Sequence, residues 1–294
     1  MHEAEWRLVY PGVDLTFGGF TEYPIVAPPD LGESSPETQD NPYPYADGTQ
    51  FGRDYRPGRT IAFEIGVNRF SNTEGLDAHG SLARAWRGDS IRKNPGAVAT
   101  LHAMHGGRER VVFGRPRRYA PVLMDNESGY SGVTCDFQCS DDLWYDAAET
   151  NVSIGLYAPT SGGITAPITA PITTTAPVTV PGQVNVGGLV DTWPVVTIEG
   201  PIETPRVELV GLWSLELNTA LAFDQSVTID TRPWARSVVR SDGASLAGKL
   251  TRQSVSLSKA VLPAGSRSQL RFTGYDLTGT SRVTVSFRNA WPHF

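Results

Sequence analysis

Cysteine and long apolar runs are what this chain of 294 residues has least of. No run of about 18 apolar residues occurs, so no membrane-spanning helix is expected. The residues after Met1 lack the basic and apolar segments of a secretory signal, so no secretory signal is expected. The two cysteines, Cys135 and Cys139, share an alternating stretch in which four residues span roughly 13 Å, too far for a disulfide. We therefore expect buried, reduced thiols and folding in a reducing compartment.

Positive charge is scarce as well, with 25 Lys and Arg residues against 31 Asp and Glu residues and a net charge of -6. This balance argues against nonspecific binding to nucleic acid or to anionic lipid, so we expect neither nucleic acid nor a membrane as a partner. Glycine and proline are plentiful, at 30 and 22 residues. Their abundance favours many short strands and turns over long helices.

The first 155 residues or so predict a β-rich domain with one helix. EWRLVYPGVDLTFGG, beginning at Glu5, has two alternating runs around a Pro-Gly turn, which indicates a hairpin. RTIAFEIGV, ERVVFGRPRRYAPVLM and GVTCDFQCSDDLWYD each predict a strand. In the first of these the side chains on one face are Ile61, Phe63, Ile65 and Val67. Residues 75–92 have apolar side chains at helical spacing and predict the helix.

Residues 27–57 predict a long loop that is rich in Pro, Asp, Tyr and Gly. The stretch is too polar and too often interrupted by turn residues to form part of a core. A long irregular loop in a compact domain is usually functional or held by a partner, and we expect the same here.

From about Val190 onward the chain predicts strands only. Runs with β-type alternation, among them WPVVTIEG, QSVTIDT and SVSLSKAVLP, are separated by turn signals at the intervals of a sandwich or jelly roll. We therefore predict an N-terminal domain at 1–158, an extended arm or linker rich in Thr, Pro and Gly at 159–189, and a C-terminal β-sandwich at 190–294. The predicted fold class is mainly β.

The middle segment contains ITAPITAPITTTAPVTVPG, from Ile164 to Gly182, which has the composition of a linker. Its even positions are mainly Ile, Val and Ala, whereas its odd positions are Thr and Pro, as in an extended segment with one buried side. All four prolines share one parity, which an edge strand tolerates. A solvated polyproline-like spacer is the alternative. We predict an arm that packs on its own N-terminal domain or on the next subunit through Ile164, Ile168, Ile172, Val178 and Val180.

No catalytic constellation emerges from the sequence. Gly88-Asp89-Ser90 is similar to the start of a GDS-type esterase motif, but no Asp-x-x-His follows, so a turn after the helix is the better interpretation. His102 and His105 could hold a metal on a helical face, yet no third ligand stands at zinc-like spacing, and an exposed turn is favoured. Asp141 and Asp142 are adjacent and would point to opposite sides of any strand, so they cannot pair across a substrate, and the end of a strand is the better interpretation. We expect no enzyme activity, no metal and no cofactor.

Five arginines make a basic stretch in this acidic chain. They are Arg108, Arg110, Arg115, Arg117 and Arg118. Nucleic-acid binding would need interleaved aromatic rings, and only Phe113 and Tyr119 are near. A solvated strand face, or a contact with an acidic patch on a neighbouring subunit, is the better interpretation.

Several separate stretches match one known family in the right order. They are WRLVYPGVDLTFGG, the segment from Asp47 to Val67, VTCDFQCSDDLWYD, VGGLVDTWPVVTIEGPIETPRVEL, SVTIDT and LPAGSRSQLRFTG. Together they resemble the distal tail proteins of long-tailed phages (siphoviruses), and most closely the minor tail proteins of phages that infect actinobacteria. The similarity covers most of the chain, and TWPVVTIEGP and VTIDT are its most specific parts.

The resemblance implies a structural virion protein. In that family an N-terminal β-rich domain with one helix forms a ring, usually a hexamer, that joins the tail tube to the tail-tip hub or baseplate. A galectin-like β-sandwich lies on the outside of the ring. The implied partners are further copies of this chain, the tail tube protein and the tail-tip hub protein. The implied location is the tail tip of the virion, after assembly in the host cytoplasm.

Recognition of the host envelope by a carbohydrate-binding C-terminal domain is the second hypothesis. Galectin sites use a His with Asn and Arg partners and a stacking Trp, yet no His occurs between Val190 and Ala290. The candidate stacking residues are Trp193, Trp213 and Trp234, although a Trp in a sandwich is more often part of the core. A hydrolase of cell-wall polymer is the weakest hypothesis, because it needs a carboxylate pair from separate strands.

Overall fold

The computed structural model describes residues 1–68, 72–122, 130–156 and 182–294. The chain divides into two compact units, Met1–Ala147 together with Trp291–Phe294, and Ala148–Ala290. The last four residues therefore belong to the unit in which the chain begins. The mainly β character is confirmed, and the described residues contain a single α-helix. None of the described helical residues forms a segment long and apolar enough to cross a membrane.

The first unit is built on one antiparallel sheet. The strands of the unit are β1 (Glu5–Tyr10), β2 (Val13–Gly18), β3 (Ile25–Asp30), β4 (Asn41–Pro42), β5 (Thr49–Gln50), β6 (Thr60–Asn68), β7 (Ala99–His105), β8 (Arg108–Val122), β9 (Tyr130–Cys139) and β10 (Trp144–Asp146). Of these, β4 and β5 form a separate two-stranded sheet. The main order is β2-β1-β7-β8-β9-β6-β3, and β10 also pairs with β8. The predicted hairpin is confirmed, since β1 and β2 pair from Tyr10 and Val13 outward.

This sheet curls around its own core. Three strands separate β1, which carries Trp6, from β6, which carries Phe63, in the sheet order, yet the two ring centroids are 4.9 Å apart. Phe17 on β2 lies 5.1 Å from the same Phe63 ring. The predicted inner face of β6 is confirmed, because Ile61, Phe63, Ile65 and Val67 are all buried. Alternation along each strand thus supplies the apolar side that the curled sheet encloses.

The helix α1 (Asn72–Arg87) packs on the enclosed side of the sheet. Its Leu82 and Trp86 are buried, and the Trp86 Nε1 donates to the carbonyl oxygen of Asp136 at 3.1 Å. The helix was predicted at 75–92 but ends at Arg87, because Gly88 takes a positive φ of 59° that terminates helices. Ile91 is buried in the turn that follows.

The region predicted as an irregular loop from residue 27 begins as strand β3, which pairs with β6. Beyond Asp30 the chain is irregular except for the two-residue strands β4 and β5, which pair with each other. The prediction of a long loop therefore holds for its later part only. Its start is a strand whose pairing with β6 has register shifts. The sequence Ala-Pro-Pro within it does not indicate a strand, because proline is uncommon in strands.

The second unit is a sandwich of two sheets around one core. Its strands are β11 (Thr150–Gly155), β12 (Gln183–Asn185), β13 (Val195–Glu199), β14 (Ile202–Leu209), β15 (Trp213–Glu216), β16 (Ala220–Leu221), β17 (Ser226–Asp230), β18 (Ser237–Arg240), β19 (Arg267–Tyr275) and β20 (Arg282–Phe287). One sheet has the order β11-β20-β13-β17-β18, and the other has β12-β19-β14-β15 with β16 beside β14. A last short strand, β21, comprises Ala290–Trp291.

Two features of the second unit differ from the prediction. SVSLSKAVLP was predicted as a strand, but its centre forms a short 3-10 helix at Leu257–Lys259 and only Leu262 makes a bridge, to Thr192. Strand β11 was placed in the N-terminal domain 1–158, whereas it pairs with β20 along its whole length and contributes Ile154 to the core of the second unit. The junction between the units is therefore at Ala147–Ala148.

The Thr/Pro segment was predicted to join the two domains. Ile164, Ile168, Ile172, Val178 and Val180 lie outside the described residues. Leu156, which precedes the segment, and Gly182, its last residue, both belong to the second unit. Strand β12, within the predicted linker 159–189, pairs with β19 of the same unit. The segment thus connects two strands of one unit and does not link the two units.

Candidate interaction surface

A hairpin arm, defined here as residues 37–55, extends from the first unit. Glu37 and Tyr55 exchange two backbone hydrogen bonds of 2.7 and 3.0 Å. Nearer the tip the Tyr43 amide donates to the Gly48 carbonyl oxygen at 3.1 Å. The Gly52 amide donates to Asp40 Oδ1 at 2.8 Å. These bonds give the arm a defined backbone although it contributes nothing to the core.

The arm exposes four aromatic rings. They belong to Tyr43, Tyr45, Phe51 and Tyr55. Tyr45 and Phe51 are 108% and 83% exposed, so they make almost no contact within the unit. Exposed apolar side chains that cluster on an ordered segment are typical of protein interaction sites. We therefore take the arm as the candidate interaction surface.

The base of the arm is fixed to the sheet. Ser34 Oγ donates to the Pro57 carbonyl oxygen at 3.0 Å, and Arg56 pairs with Asp142 at 3.3 Å. A Cβ at Gly58 would come within 2.1 Å of the Cys139 carbonyl oxygen, so this close approach requires glycine. These contacts hold the root of the arm in a fixed position.

Asp141 and Asp142 lie beside this base, after the end of β9, and they act separately. Asp141 accepts hydrogen bonds from the Leu143 amide at 3.2 Å and from the Tyr145 hydroxyl at 2.7 Å. Burial raises the pKa of Asp141 to about 6, although both hydrogen bonds act in the opposite direction. Asp142 instead pairs with Arg56. The two residues follow the end of a strand, as predicted.

The histidines proposed as metal ligands are held apart. His102 and His105 lie on strand β7, where a spacing of three residues sends side chains to opposite faces. His102 contacts Glu109 at 2.7 Å, and His105 contacts Glu3 at 3.2 Å. Both the helical face and the turn considered for them are wrong. The described residues contain no group of three side chains placed to hold a metal ion.

A half-buried histidine that the sequence did not single out joins α1 to the sheet. His79 Nδ1 lies 2.9 Å from the Tyr119 hydroxyl, and its Nε2 contacts Ser131 Oγ. Burial lowers the pKa of His79 and raises the pKa of Tyr119 to about 12. Ser131 is only 4% exposed, so the contact serves packing and not access to a substrate. No local motif marks it, because its three members come from separate elements.

The remaining chemical candidates are structural. Ser90 lies in the turn after α1, as predicted, and its Oγ donates to the Pro11 carbonyl oxygen at 2.7 Å. Cys135 and Cys139 are free and buried, also as predicted. Burial raises the pKa of the Cys139 thiol to about 12 and raises that of Cys135 as well. Such thiols are unreactive at neutral pH.

Comparison with known proteins identifies the fold. No family model matches the chain, and no curated protein matches its sequence. The crystal structure of the Dit protein of phage SPP1, described as a paradigm of the hub adsorption apparatus in phages infecting Gram-positive bacteria, covers 97% of this chain and 98% of its own, with 15% identity and a TM-score of 0.54. Phage P2 baseplate structures in the activated conformation, with Ca and with Sr, each cover 96% of this chain and 97% of their own, at 11% identity and TM-scores of 0.57 and 0.56.

The chain has the distal tail protein fold. The match extends over both units, and it confirms at the level of the fold the resemblance found in the sequence. At identities of 11% to 15% the shared property is the fold.

Within the distal tail fold, the three candidate stacking tryptophans have different surroundings. Trp213 is 5% exposed, packs in the sandwich core and donates from Nε1 to the Val261 carbonyl oxygen at 2.7 Å. Trp193 is half-buried. Trp234 is also half-buried and lies under the Arg232 guanidinium, 5.6 Å from its ring centre. The structure does not bring the three rings to one surface, since Trp213 is inside.

The basic stretch on β8 is divided by the structure. Arg110 is buried, bonds Asp146 at 3.0 Å and lies 4.2 Å above the Trp291 ring. Arg115 donates to three backbone carbonyls, including that of Ala97 at 2.7 Å. The expected continuous solvated face is therefore wrong for these two arginines. Arg108, Arg117 and Arg118 are exposed.

Proposed function

We propose that this chain is a structural protein of a phage tail tip that forms a ring between the tail tube and the tail-tip hub or baseplate. The supporting observation is that both units, in order, align with the SPP1 Dit protein and with phage P2 baseplate structures over at least 96% of the chain. The proposed partners are further copies in a hexamer, the tail tube protein and the hub protein. The proposed location is the virion tail tip, after assembly in the host cytoplasm.

The hairpin arm supplies what ring closure needs. A ring closes through head-to-tail contacts, in which one surface of each copy meets a different surface of the next. A buried aromatic side chain contributes about 150 to 250 Å². Tyr45 and Phe51 are almost fully exposed and Tyr43 and Tyr55 about half exposed, so the four rings offer a large part of the roughly 800 Å² that one partner contributes to a stable interface.

Light scattering and negative-stain imaging of the purified protein, alone and with its hub partner, test this proposal. We expect a closed ring with the mass of six copies. A strict monomer that binds neither the tube protein nor the hub protein would contradict it.

The Thr/Pro segment is proposed as a second contact between copies, through Ile164, Ile168, Ile172, Val178 and Val180. Its alternating sequence supports this, and so does the finding that it is not needed to join the units. Ile168→Ser with Ile172→Ser should weaken ring assembly, whereas Thr165→Ser with Thr169→Ser, on the opposite parity, should not. Equal assembly of both variants would favour a plain spacer.

The alternative, a carbohydrate-binding module in the second unit, has less support because Trp213 is in the core. Trp193 and Trp234 are the rings left for stacking on a glycan of the host envelope. A host-wall glycan pull-down with Trp193→Ala and Trp234→Ala tests it, and an absence of binding by the wild-type protein removes it.

A further inference from the structure

We propose that the acidic hairpin arm of one copy docks on Arg117 and Arg118 of the next copy. The inference rests on the proposed ring and names two surfaces that meet in it. Both surfaces belong to the first unit, and they lie on different segments, as a head-to-tail contact requires.

Arg117 and Arg118 occupy a β-bulge. Pro116 faces Phe137 and Tyr119 faces Cys135, so two residues of β8 stand opposite the single residue Asp136 of β9. Both arginines are exposed, and neither makes an ion pair with any residue in the described ranges. In this they differ from Arg110 and Arg115, whose guanidinium groups have partners within the unit.

The bulge carries two adjacent like charges that have no ion-pair partner among the described residues. In a regular strand neighbouring side chains point to opposite faces, and a bulge breaks this alternation. Like charges close together repel each other, and the repulsion grows when a partner surface excludes water. Carboxylates supplied by another molecule would turn this repulsion into attraction. The bulge is therefore a socket for an acidic group.

The hairpin arm has the complementary charge. It carries four acidic residues against the single Arg53, and they are Glu37, Asp40, Asp47 and Asp54. Asp40 is occupied by the Gly52 amide, while Asp47 and Asp54 are exposed and unpaired among the described residues. The exposed Tyr45 and Phe51 rings can also stack on a guanidinium group. The arm thus offers both carboxylates and aromatic faces, which is the chemistry that an arginine pair binds best.

The length of the arm allows the contact to reach another copy. From residue 37 to the tip at Tyr45 an extended chain spans roughly 30 Å. A domain of this size has a radius of gyration of about 15 Å. The arm is therefore long enough, compared with the size of the unit, to reach the surface of a neighbouring copy.

Charge reversal on each surface tests the contact. We would use native mass spectrometry on three samples. The first is the double variant that combines Arg117→Glu and Arg118→Glu, and the second is the double variant that combines Asp47→Lys and Asp54→Lys. The third is an equimolar mixture of these two double variants. Each double variant alone should need at least tenfold more protein for half-assembly than the wild type. The mixture should recover assembly within about threefold, because positive arms then meet negative sockets and negative arms meet positive ones.

The exposed pair Lys249→Glu with Arg252→Glu, in the second unit, is the matched control for charge and should assemble as the wild type does. If the wild type forms a ring and both charge-reversed variants assemble normally, this contact is wrong while the ring stands. Failure of the mixture although each variant is folded would also overturn it. A wild type that forms no ring, alone or with the hub protein, would remove the proposed function and this contact with it.

Discussion

The two units build their cores from different side chains. The centre of the first unit is a set of large aromatic rings in edge contact, with centroids 4.9 to 6.3 Å apart. They are Trp6, Phe17, Phe63, Trp86 and Trp144. The core of the second unit is mainly Val, Ile and Leu from two facing sheets. Two pleated sheets stack at about 10 Å and fit branched aliphatic chains, whereas a curled sheet closed by a helix encloses a wider centre.

The units differ also in how they use the chain. The first unit needs its last residues, since Trp291 Nε1 donates to Asp146 at 2.9 Å and the Phe294 ring lies 4.9 Å from Trp144. The second unit is continuous from Ala148 to Ala290. The first unit thus adds several large aromatic rings to its aliphatic core residues, whereas the second relies mainly on aliphatic side chains.

The largest effect is expected from Trp144→Ala in the first unit. Trp144 is fully buried and contacts Trp6, Phe294 and the Arg59 guanidinium, 4.4 Å from its ring. Losing this side chain should lower the free energy of unfolding by about 3 to 5 kcal/mol, measured by urea denaturation. Trp144→Phe should cost much less, because the buried Nε1 has no acceptor among the described residues. Equal losses of stability in both variants would show that the volume of the aromatic ring does not account for the stabilisation by Trp144.

The next effect depends on pH and concerns Asp141. Its folded pKa of about 6 lies above the ordinary value near 3.9, so the folded state binds the proton more tightly. The resulting stabilisation is complete below about pH 4 and is lost as the pH rises through 6, by at most about 3 kcal/mol. Asp141→Asn should remove this fall in stability between pH 4 and 6, whereas Asp47→Asn on the exposed arm should retain it. Parallel curves for wild type and Asp141→Asn would contradict the assignment.

A smaller and equal effect is expected from one methylene in each unit. Ile65→Val in the first unit and Ile198→Val in the second each remove a fully buried group. Each should cost about 0.5 to 1.5 kcal/mol in urea denaturation. If only Ile65→Val is costly, the aromatic core packs more tightly than the sandwich, and the contrast between the units extends beyond their large side chains.

Local periodicity predicted much of the fold. The face of β6 and the β1–β2 hairpin follow from alternation within a few residues, so the sequence was sufficient for them. The curl of the sheet and the pairing of β11 with β20 join residues far apart in the chain, and no local pattern reports such contacts. In SVSLSKAVLP the local pattern is misleading instead. The stretch alternates like a strand, but only one of its residues forms a β-bridge with another segment.

The candidate site was predicted less completely. The long loop was predicted to be functional or held by a partner, and this stays a prediction. Tyr45 and Phe51 were not singled out, because a sequence does not show which aromatic rings are exposed. Their signal was the presence of aromatics in a polar stretch with no buried alternation around them. The basic stretch likewise had to be separated by structure into arginines with internal partners, such as Arg110, and those without, such as Arg117.

The smallest effect on stability, and the clearest separation of stability from assembly, is expected at the arm. Tyr45→Ser with Phe51→Ser removes two rings that make almost no contact within the unit, so the free energy of unfolding should change by less than about 0.5 kcal/mol. Ring assembly should nevertheless weaken strongly, because these rings are available only to a neighbour. Phe223→Ser, at a 77% exposed ring of the second unit, is the matched control and should leave assembly unchanged. A loss of stability that parallels the loss of assembly would mean that the arm stabilises its own unit. The core would then not be the only part that stabilises the fold, and the arm would not act only in ring assembly.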